Sequence, residues 1–211
     1  METHGHFKQV RLVGGNLALD FVNTETGPHD GPPDGDALES YEDLLSWSRQ
    51  VGAIGNPQLN ALALAAREAP TAAASALREA ARLRSQLWEL FAALARKQEP
   101  DNGLLGLLRD DAARSLGYAK LARTGESYAW DWSDCTSLNA SLWPLVQAAI
   151  DLVQSRSLKD VKQCAACRFL FVDTSKNGSR RWCSMEDCGK TAKMRRYVAR
   201  RQASRRPAGP E

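Results

Sequence analysis

The sequence predicts a mainly α-helical protein with one small β-hairpin, followed by a short cysteine-rich module near the C-terminal end. Three observations support this fold class. Several segments rich in Ala, Leu, Arg and Glu carry apolar residues at helical spacing. One segment near the middle alternates weakly around a Thr-Gly-Glu turn, and four of the five cysteines cluster near the end. We therefore expect an α-rich domain over residues 1–157 and a cysteine module with a basic helix over residues 158–206.

The N-terminal third contains two short apolar runs, a loop and two helices. Residues 10–13 and 17–22 flank a Gly-Gly-Asn segment and indicate a strand or a tightly packed segment. Residues 27–35 hold three prolines and several glycines and are typical of a loop. A helix is expected over residues 36–52, and Pro57 suits the first turn of the next one.

The longest helical signal runs from Thr71 to Gln98. Its leucines recur at spacings of four, three and four residues, which predicts a face buried in the core, with a dimer seam as the alternative. They are Leu83, Leu87, Leu90 and Leu94. Pro100 ends this helix, and Asp101 is a candidate cap for a shorter helix running to about Arg114.

A change of pattern follows this helix. Residues 115–123 and 127–132 alternate on either side of the turn at 124–126, as expected of a β-hairpin. A helical pattern returns over residues 137–153, where Pro144 predicts either a kink or the true start of the helix.

Charge is distributed unevenly along the 211 residues. Residues 159–211 carry 14 Lys+Arg and 5 Asp+Glu, a net charge of +9, whereas the preceding residues carry 14 and 20, a net charge of −6. A basic end predicts contact with a polyanion, and a merely solvated tail is the alternative. There is neither a signal-like apolar segment nor a run of about 20 apolar residues. We therefore expect a cytoplasmic protein without membrane contact.

The four clustered cysteines predict a structural zinc site. Cys164 and Cys167 form a Cys-x2-Cys pair, and Cys183 and Cys188 follow fifteen residues later with four residues between them. Two such pairs complete the closed tetrahedral shell that structural zinc prefers. Four protein ligands leave no open position for hydrolytic chemistry. A redox pair and an iron–sulfur cluster are the alternatives, and Cys135 is expected to be a small buried apolar residue.

The residues between the two pairs suit a treble-clef finger. We expect one strand at 169–172, a second strand at 180–182 after a polar turn, and then a helix capped by Ser184. Cys188 would lie on the first turns of that helix. A zinc ribbon is the alternative.

Basic side chains accompany this module. A metal-stabilised scaffold that presents several of them can neutralise phosphates. DNA is the expected partner and RNA the alternative polyanion, while Met194, Tyr197 and Val198 are expected to pack inward. The candidate nucleic-acid contacts are Lys176, Arg180, Arg181, Lys190, Lys193, Arg195, Arg196 and Arg200.

Both ends of the chain resemble a known family. The segments Cys164-Ala-Ala-Cys167, Phe171-Val-Asp173, Ser179 to Met185 and Cys188-Gly189 resemble the CGNR zinc-finger proteins. Residues 17–24, Leu-Ala-Leu-Asp-Phe-Val-Asn-Thr, are similar to the opening motif of the ABATE domain that precedes this finger. One departure stands out: Lys190-Thr191 replaces the Asn-Arg of the family's namesake tetrad, and Thr191 cannot reproduce a contact made by arginine.

The resemblance implies a bacterial, stress-induced transcription regulator whose finger binds DNA. In this interpretation the N-terminal domain senses an effector or forms a homodimer. A structural or protein-interaction role for the finger is the alternative, and no catalytic arrangement of residues predicts an enzyme. Asp20 and Asn23 are candidates for lining a ligand pocket, although such residues also satisfy buried backbone groups.

Overall fold

The protein's structure, a computed structural model, describes residues 10–203. His4 and His6, and the basic Arg205 and Arg206, lie outside this range. The described part contains seven α-helices and three two-stranded antiparallel sheets. The helices are α1 (Leu17–Val22), α2 (Tyr41–Gln50), α3 (Asn56–Glu68), α4 (Pro70–Ala95), α5 (Asn102–Leu116), α6 (Trp143–Gln154) and α7 (Lys190–Ala203). The strands are β1 (Glu25–Thr26), β2 (Gly35–Asp36), β3 (Lys120–Thr124), β4 (Ser127–Asp131), β5 (Val161–Gln163) and β6 (Leu170–Val172).

Local capping explains where most helices begin. Ser40 and Asp43 form a capping box at the start of α2, because each side chain bonds the other residue's backbone amide. Asp101 caps α5, as predicted, by accepting a hydrogen bond from the Gly103 amide. Pro144 lies in the first turn of α6 and therefore marks its start and not a kink.

The first helix corrects a sequence expectation. Residues 17–22 form α1, where the sequence indicated a strand or a packed segment. The Asn16 side chain accepts a hydrogen bond from the Ala18 amide at 2.9 Å and so starts the helix. Five of its six residues are buried, so the helix shows no amphipathic period that the sequence could reveal.

Helix α4 forms the centre of the domain, as the leucine stripe predicted. Leu83, Leu87 and Leu90 are buried, and the helix packs against α1, α2, α3, α5 and the C-terminal strands β5 and β6. The predicted β3–β4 hairpin is also confirmed, with Leu121 opposite Trp130 and Thr124 opposite Ser127.

The strands of the cysteine module belong to the same core as the helices. Val161, Leu170 and Val172 are buried within the cluster that contains the side chains of α1, α4 and α6. The predicted partner strand at 180–182 is not formed; β5, which precedes the first cysteine pair, pairs with β6 instead. The polar stretch before Cys164 shows little of the alternation that predicts a strand. Strand β5 forms there because Val161 is buried in the core among residues that are distant in sequence.

Helix α7 extends away from this core. Met194, Tyr197 and Val198 are 56%, 55% and 44% exposed. The expectation that they pack inward was therefore wrong, because within residues 10–203 α7 packs mainly against the turn that precedes it. Within residues 10–203, none of the helices combines the length and the apolar character needed to cross a membrane.

Candidate metal centre and its basic helix

The four predicted cysteines converge on one point. Their sulfur atoms all lie within 4.8 Å of one another, at a site where Cys164 and Cys183 are buried and the other two are half-buried. Three Sγ–Sγ distances are 3.7 Å (Cys167 to Cys183), 3.6 Å (Cys183 to Cys188) and 3.7 Å (Cys188 to Cys167). Disulfide sulfurs would be only about 2 Å apart, so these are separate thiols. Cys135 lies outside the group, half-buried against the helical core.

This geometry fits a zinc ion. Sulfur ligands at about 2.3 Å from the metal in a tetrahedron are separated by about 3.8 Å, close to the observed spacings. Four thiolates form a closed, sulfur-only donor set, which is typical of structural and not of catalytic zinc. The site therefore holds one structural zinc ion, with Cys164, Cys167, Cys183 and Cys188 as its ligands.

Backbone amides and neighbouring thiols shift the pKa values of the clustered cysteines. Hydrogen bonds from Cys167 and Cys183 hold the pKa of Cys164 well below its usual range, and the amides of Ala166 and Cys183 act in the same direction. The pKa of Cys183 is raised, chiefly by its side-chain hydrogen bond to Cys164. A divalent cation replaces such shared protons, so metal binding releases protons and is favoured at higher pH.

Each pair of cysteines is placed by a different local structure. Cys164 and Cys167 occupy the turn between β5 and β6, closed by a hydrogen bond from the Cys164 amide to the Phe169 carbonyl at 2.8 Å. Cys188 lies on a π-helical turn, Met185–Gly189, whose start is capped by Ser184 as predicted. Phe171, Phe169 and Trp182 surround the sulfurs and form the small core that the sequence predicted for the finger.

The opening motif of the chain holds the finger directly. The Asn23 side chain donates a hydrogen bond to the Leu170 carbonyl at 2.8 Å and accepts one from the Leu170 amide at 2.9 Å. The Asp20 carboxylate accepts a hydrogen bond from the Gly14 amide at 2.8 Å, and the Gly14 carbonyl accepts one from Val172. Burial raises the pKa of Asp20, and the Gly14 and Val13 amides counteract it.

These contacts place both candidate pocket residues in the junction between α1 and the finger. Asn23 is 1% and Asp20 is 9% exposed, and each bonds buried backbone groups. This is the structural role that the sequence left open as the alternative. A ligand-binding role for Asp20 and Asn23 stays a hypothesis, and these contacts lend it no support.

The predicted Gly/Pro-rich loop covers the first cysteine pair. His29 Nδ1 lies 2.6 Å from the Cys164 carbonyl oxygen, and the Gln163 side chain donates to the His29 carbonyl at 2.9 Å. The Arg168 amide donates to the Gly27 carbonyl at 3.1 Å, and Pro28 forms an isolated antiparallel bridge with Cys167. The knuckle that holds two metal ligands is therefore fixed by the N-terminal part of the chain.

A buried arginine pair strengthens the same junction, and the sequence did not reveal it. Arg84 on α4 donates to the Thr24 hydroxyl at 2.8 Å and pairs with Glu25 and with Asp36. The guanidinium of Arg168 lies over the Trp88 ring at 4.5 Å and 3.3 Å from the Glu25 carboxylate. The carboxylate of Glu25 thus links the arginine that follows Cys167 to helix α4. No spacing in the sequence brings these residues together.

Arg180, predicted to contact nucleic acid, is engaged within the protein. Its guanidinium lies 4.1 Å from the centre of the Phe171 ring and donates to the carbonyls of Val13, Trp182 and Cys183. With its donors directed at these carbonyls, Arg180 joins the N-terminal segment to the finger. The other predicted loop residues, Lys176 and Arg181, are exposed.

The remaining candidate contacts form an exposed basic surface on α7. This 14-residue helix carries six basic residues and no acidic one. Lys193, Arg196 and Arg200 are spaced i, i+3 and i+7 and therefore share one face. Arg195 lies on another side and lines a groove of about 740 Å³ beside Glu186 and Asp187, both of which pair with Arg11. Lys190 is exposed at the start of the helix.

Comparison with known proteins agrees with this architecture. Residues 15–156 match the family model ABATE, described as "Putative stress-induced transcription regulator", and residues 161–201 match the CGNR zinc finger. No curated protein matches the chain at a significant level. The first match spans more than half of the chain, and the second contains all four clustered cysteines. The chain therefore belongs to the ABATE family and ends in a CGNR zinc finger.

Proposed function

We propose that this protein is a DNA-binding transcription regulator and that the exposed face of α7 contacts the DNA backbone. The observation that carries the proposal is the exposed basic surface of α7, a helix that begins two residues after Cys188 of the metal centre. Four of its cations, Lys190, Lys193, Arg195 and Arg196, make no hydrogen bond or ion pair to any residue within 10–203. Cations without protein partners remain available to phosphates, and their binding releases counterions.

The dimensions of α7 suit this role. Fourteen residues extend about 21 Å, and a helix of this kind fits the major groove of B-DNA. We assign Lys193, Arg196 and Arg200 to phosphate contacts, since most protein–DNA hydrogen bonds go to the backbone. The two acidic residues before α7, Glu186 and Asp187, are paired with Arg11, which reduces their repulsion of the phosphates.

A structural role of the finger is the second candidate, and one observation favours it. Strands β5 and β6 pack into the common core, so the finger stabilises the N-terminal domain by packing against it. This packing explains the buried residues of the finger but leaves the charge of α7 without a function. We therefore propose that the finger stabilises the N-terminal domain through strands β5 and β6 and binds nucleic acid through helix α7.

Titration of a labelled random-sequence DNA duplex at several salt concentrations tests the proposal. We expect the Arg196→Ala variant to bind more weakly at every duplex sequence and to lower the slope of log K against log salt by about 1. Arg67→Ala is the matched control, because Arg67 is likewise exposed on a helix and has no partner within the described range. Zinc content should be unchanged in both variants.

Two results would reject the proposal. One is the absence of measurable duplex affinity for the zinc-loaded chain at low salt. The other is an equal effect of Arg196→Ala and Arg67→Ala on affinity and salt slope. A parallel titration with single-stranded RNA decides between the two polyanions, and tighter binding of RNA than of duplex would also overturn the assignment to DNA.

A further inference from the structure

We propose that the groove between α2, α3 and α4 binds an uncharged, mainly apolar small molecule. We call it the α2–α4 groove and define it by Leu45, Leu59, Ala63, Ala74 and Leu77. Its volume is about 620 Å³, within the range of roughly 300–1,000 Å³ that is typical of small-molecule sites. This proposal does not depend on DNA binding.

Alanine side chains keep the α2–α4 groove open. Ala63 and Ala66 line it from α3, and Ala73 and Ala74 line it from the first turns of α4. Only Ala69 separates the end of α3 from the start of α4, so the two helices diverge from one point. An alanine extends a single methyl group from the backbone, so these positions fill little of the space between the helices. Larger side chains there would close the groove.

The floor of the α2–α4 groove is apolar, and few polar groups are directed to it. Leu45 is buried, and Leu59 and Leu77 are half-buried. The side chains of Ser46 and Asn60 line the groove and make no hydrogen bond to any residue within 10–203. An apolar concave surface with a few polar groups that fix orientation is the usual character of a site for an organic ligand. Ser46 and Asn60 are therefore assigned to orient the ligand.

Charge selects the class of ligand. The lining contains one acidic and one basic side chain, Glu42 and Arg67, so its net charge is zero. Neither of them forms an ion pair within the described part of the chain. An ionic ligand would be attracted by one of these groups and repelled by the other, and it would lose hydration between leucine and alanine side chains. A neutral ligand avoids both penalties and gains from the burial of its apolar surface.

The helix that lines the α2–α4 groove also supports the finger. Farther along α4, the Trp88 side chain donates a hydrogen bond to the Arg168 carbonyl at 3.1 Å. The helix rises about 16 Å between Leu77 and Trp88. In this proposal the effector-binding role expected of the N-terminal domain belongs to the groove, whereas Asp20 and Asn23 bond backbone groups at the junction with the finger.

Fluorescence titration with N-phenyl-1-naphthylamine, an uncharged apolar probe that brightens in an apolar site, tests the proposal. The zinc-loaded full chain is added, up to about 200 μM, to a fixed low concentration of the probe. We expect saturable binding with a dissociation constant of about 10–100 μM. The sulfonated analogue 8-anilino-1-naphthalenesulfonate has the same rings and a negative charge. It should bind the α2–α4 groove at least about tenfold more weakly.

Two substitutions that fill the groove identify the site, and each has a matched control on its own helix. Ala63→Trp on α3 and Ala74→Trp on α4 place an indole in the groove and should each weaken binding of the neutral probe at least about tenfold. The controls are Ala61→Trp on α3 and Ala72→Trp on α4, because both alanines are exposed and neither lines the groove. Circular dichroism and zinc content should match the wild type in all four variants.

Each outcome decides the question. Binding of the neutral probe that is weakened by Ala63→Trp or Ala74→Trp, but by neither control, supports the proposal. A wild-type chain that shows no saturable binding overturns it, and so does equal binding by all four variants. Tighter binding of the sulfonate, lost in the same two variants, would assign the groove to an anion instead. Sedimentation equilibrium checks for a second copy as the occupant: a dimer that Ala63→Trp dissociates and Ala61→Trp does not would also overturn the proposal.

Discussion

The side chain of Asn23 pairs with the backbone of Leu170 through two hydrogen bonds, of 2.8 and 2.9 Å, much as a neighbouring strand would. Asn23 is the residue at the C-terminal end of α1, and Leu170 begins the strand that follows the metal-binding knuckle. The buried side-chain amide of Asn23 thus joins the end of helix α1 to strand β6 of the finger. The finger and the helical domain are therefore expected to behave as one cooperative unit.

Replacing Asn23 with alanine should destabilise the whole chain. The substitution leaves the buried amide and carbonyl of Leu170 without partners, at a cost of about 2–3 kcal/mol. Denaturant unfolding monitored by tryptophan fluorescence measures the loss. Asn60→Ala on the surface of α3 serves as the control and should change the free energy of unfolding by less than about 0.5 kcal/mol. An unchanged stability of Asn23→Ala would show that the junction is not cooperative.

Removal of zinc should destabilise the helical domain as well as the finger. Val161, Leu170 and Val172 flank the metal ligands and belong to the common core, so loss of the metal loosens side chains packed on α4. Calorimetry with and without a chelator should show a single transition that moves to lower temperature.

A cysteine comparison provides the control for that experiment. Cys164→Ser should abolish stoichiometric zinc binding, whereas Cys135→Ser should keep one zinc ion per chain, because Cys135 lies outside the cluster. The expectation fails if a chelator removes zinc while the melting temperature of the main transition stays the same.

Arg180 and Arg181 are neighbours with different predicted roles. Arg180→Ala removes hydrogen bonds to three carbonyls and the contact with Phe171, so we expect a loss of about 2–3 kcal/mol and weaker zinc retention. Arg181→Ala should be nearly neutral for folding, since its side chain is exposed. Competition for zinc with a metal-sensitive dye measures retention in both variants. Equal retention would refute a structural role for Arg180.

Asp173 should make stability depend on pH. Burial alone would raise its pKa, but hydrogen bonds from Lys162, Ser175 and the Arg180 amide outweigh burial and lower it. Because the pKa is depressed in the folded chain, this carboxylate stabilises the fold above its ordinary pKa of about 4. That stabilisation disappears as the pH falls through the lower, folded value.

The Asp173→Asn variant isolates this contribution. It should cost about 2–3 kcal/mol at pH 7, and the difference from the wild type should shrink below pH about 4. Urea unfolding at several pH values measures it, with Asp110→Asn on the surface of α5 as a control. A difference that stays constant across this pH range would contradict the assignment.

The helical fold and the metal ligands could be predicted from the sequence because their signals are local. The leucines of α4 recur with the period of a helix, Asp101 caps the helix that follows it, and Pro144 marks a first turn. The Cys-x2-Cys spacing itself allows two sulfurs to reach one ion. Each of these features depends on residues within a few positions of one another, whereas the convergence of the two cysteine pairs depends on the fold of the segment between them.

The roles of single polar residues were decided only by the tertiary structure. Arg180 and Arg196 look alike in the sequence, yet one guanidinium is held by Phe171 and backbone carbonyls while the other faces solvent. The role of Asn23 was likewise decided by the tertiary structure, because its partner, Leu170, lies 147 residues away in the sequence. A buried hydrogen bond forms wherever packing brings a donor to an acceptor, and residue type alone does not specify that encounter. The sequence therefore determined which residues could bind metal or phosphate, and the folding of the finger against the N-terminal segment decided that Arg180 is engaged within the protein while Arg196 remains exposed.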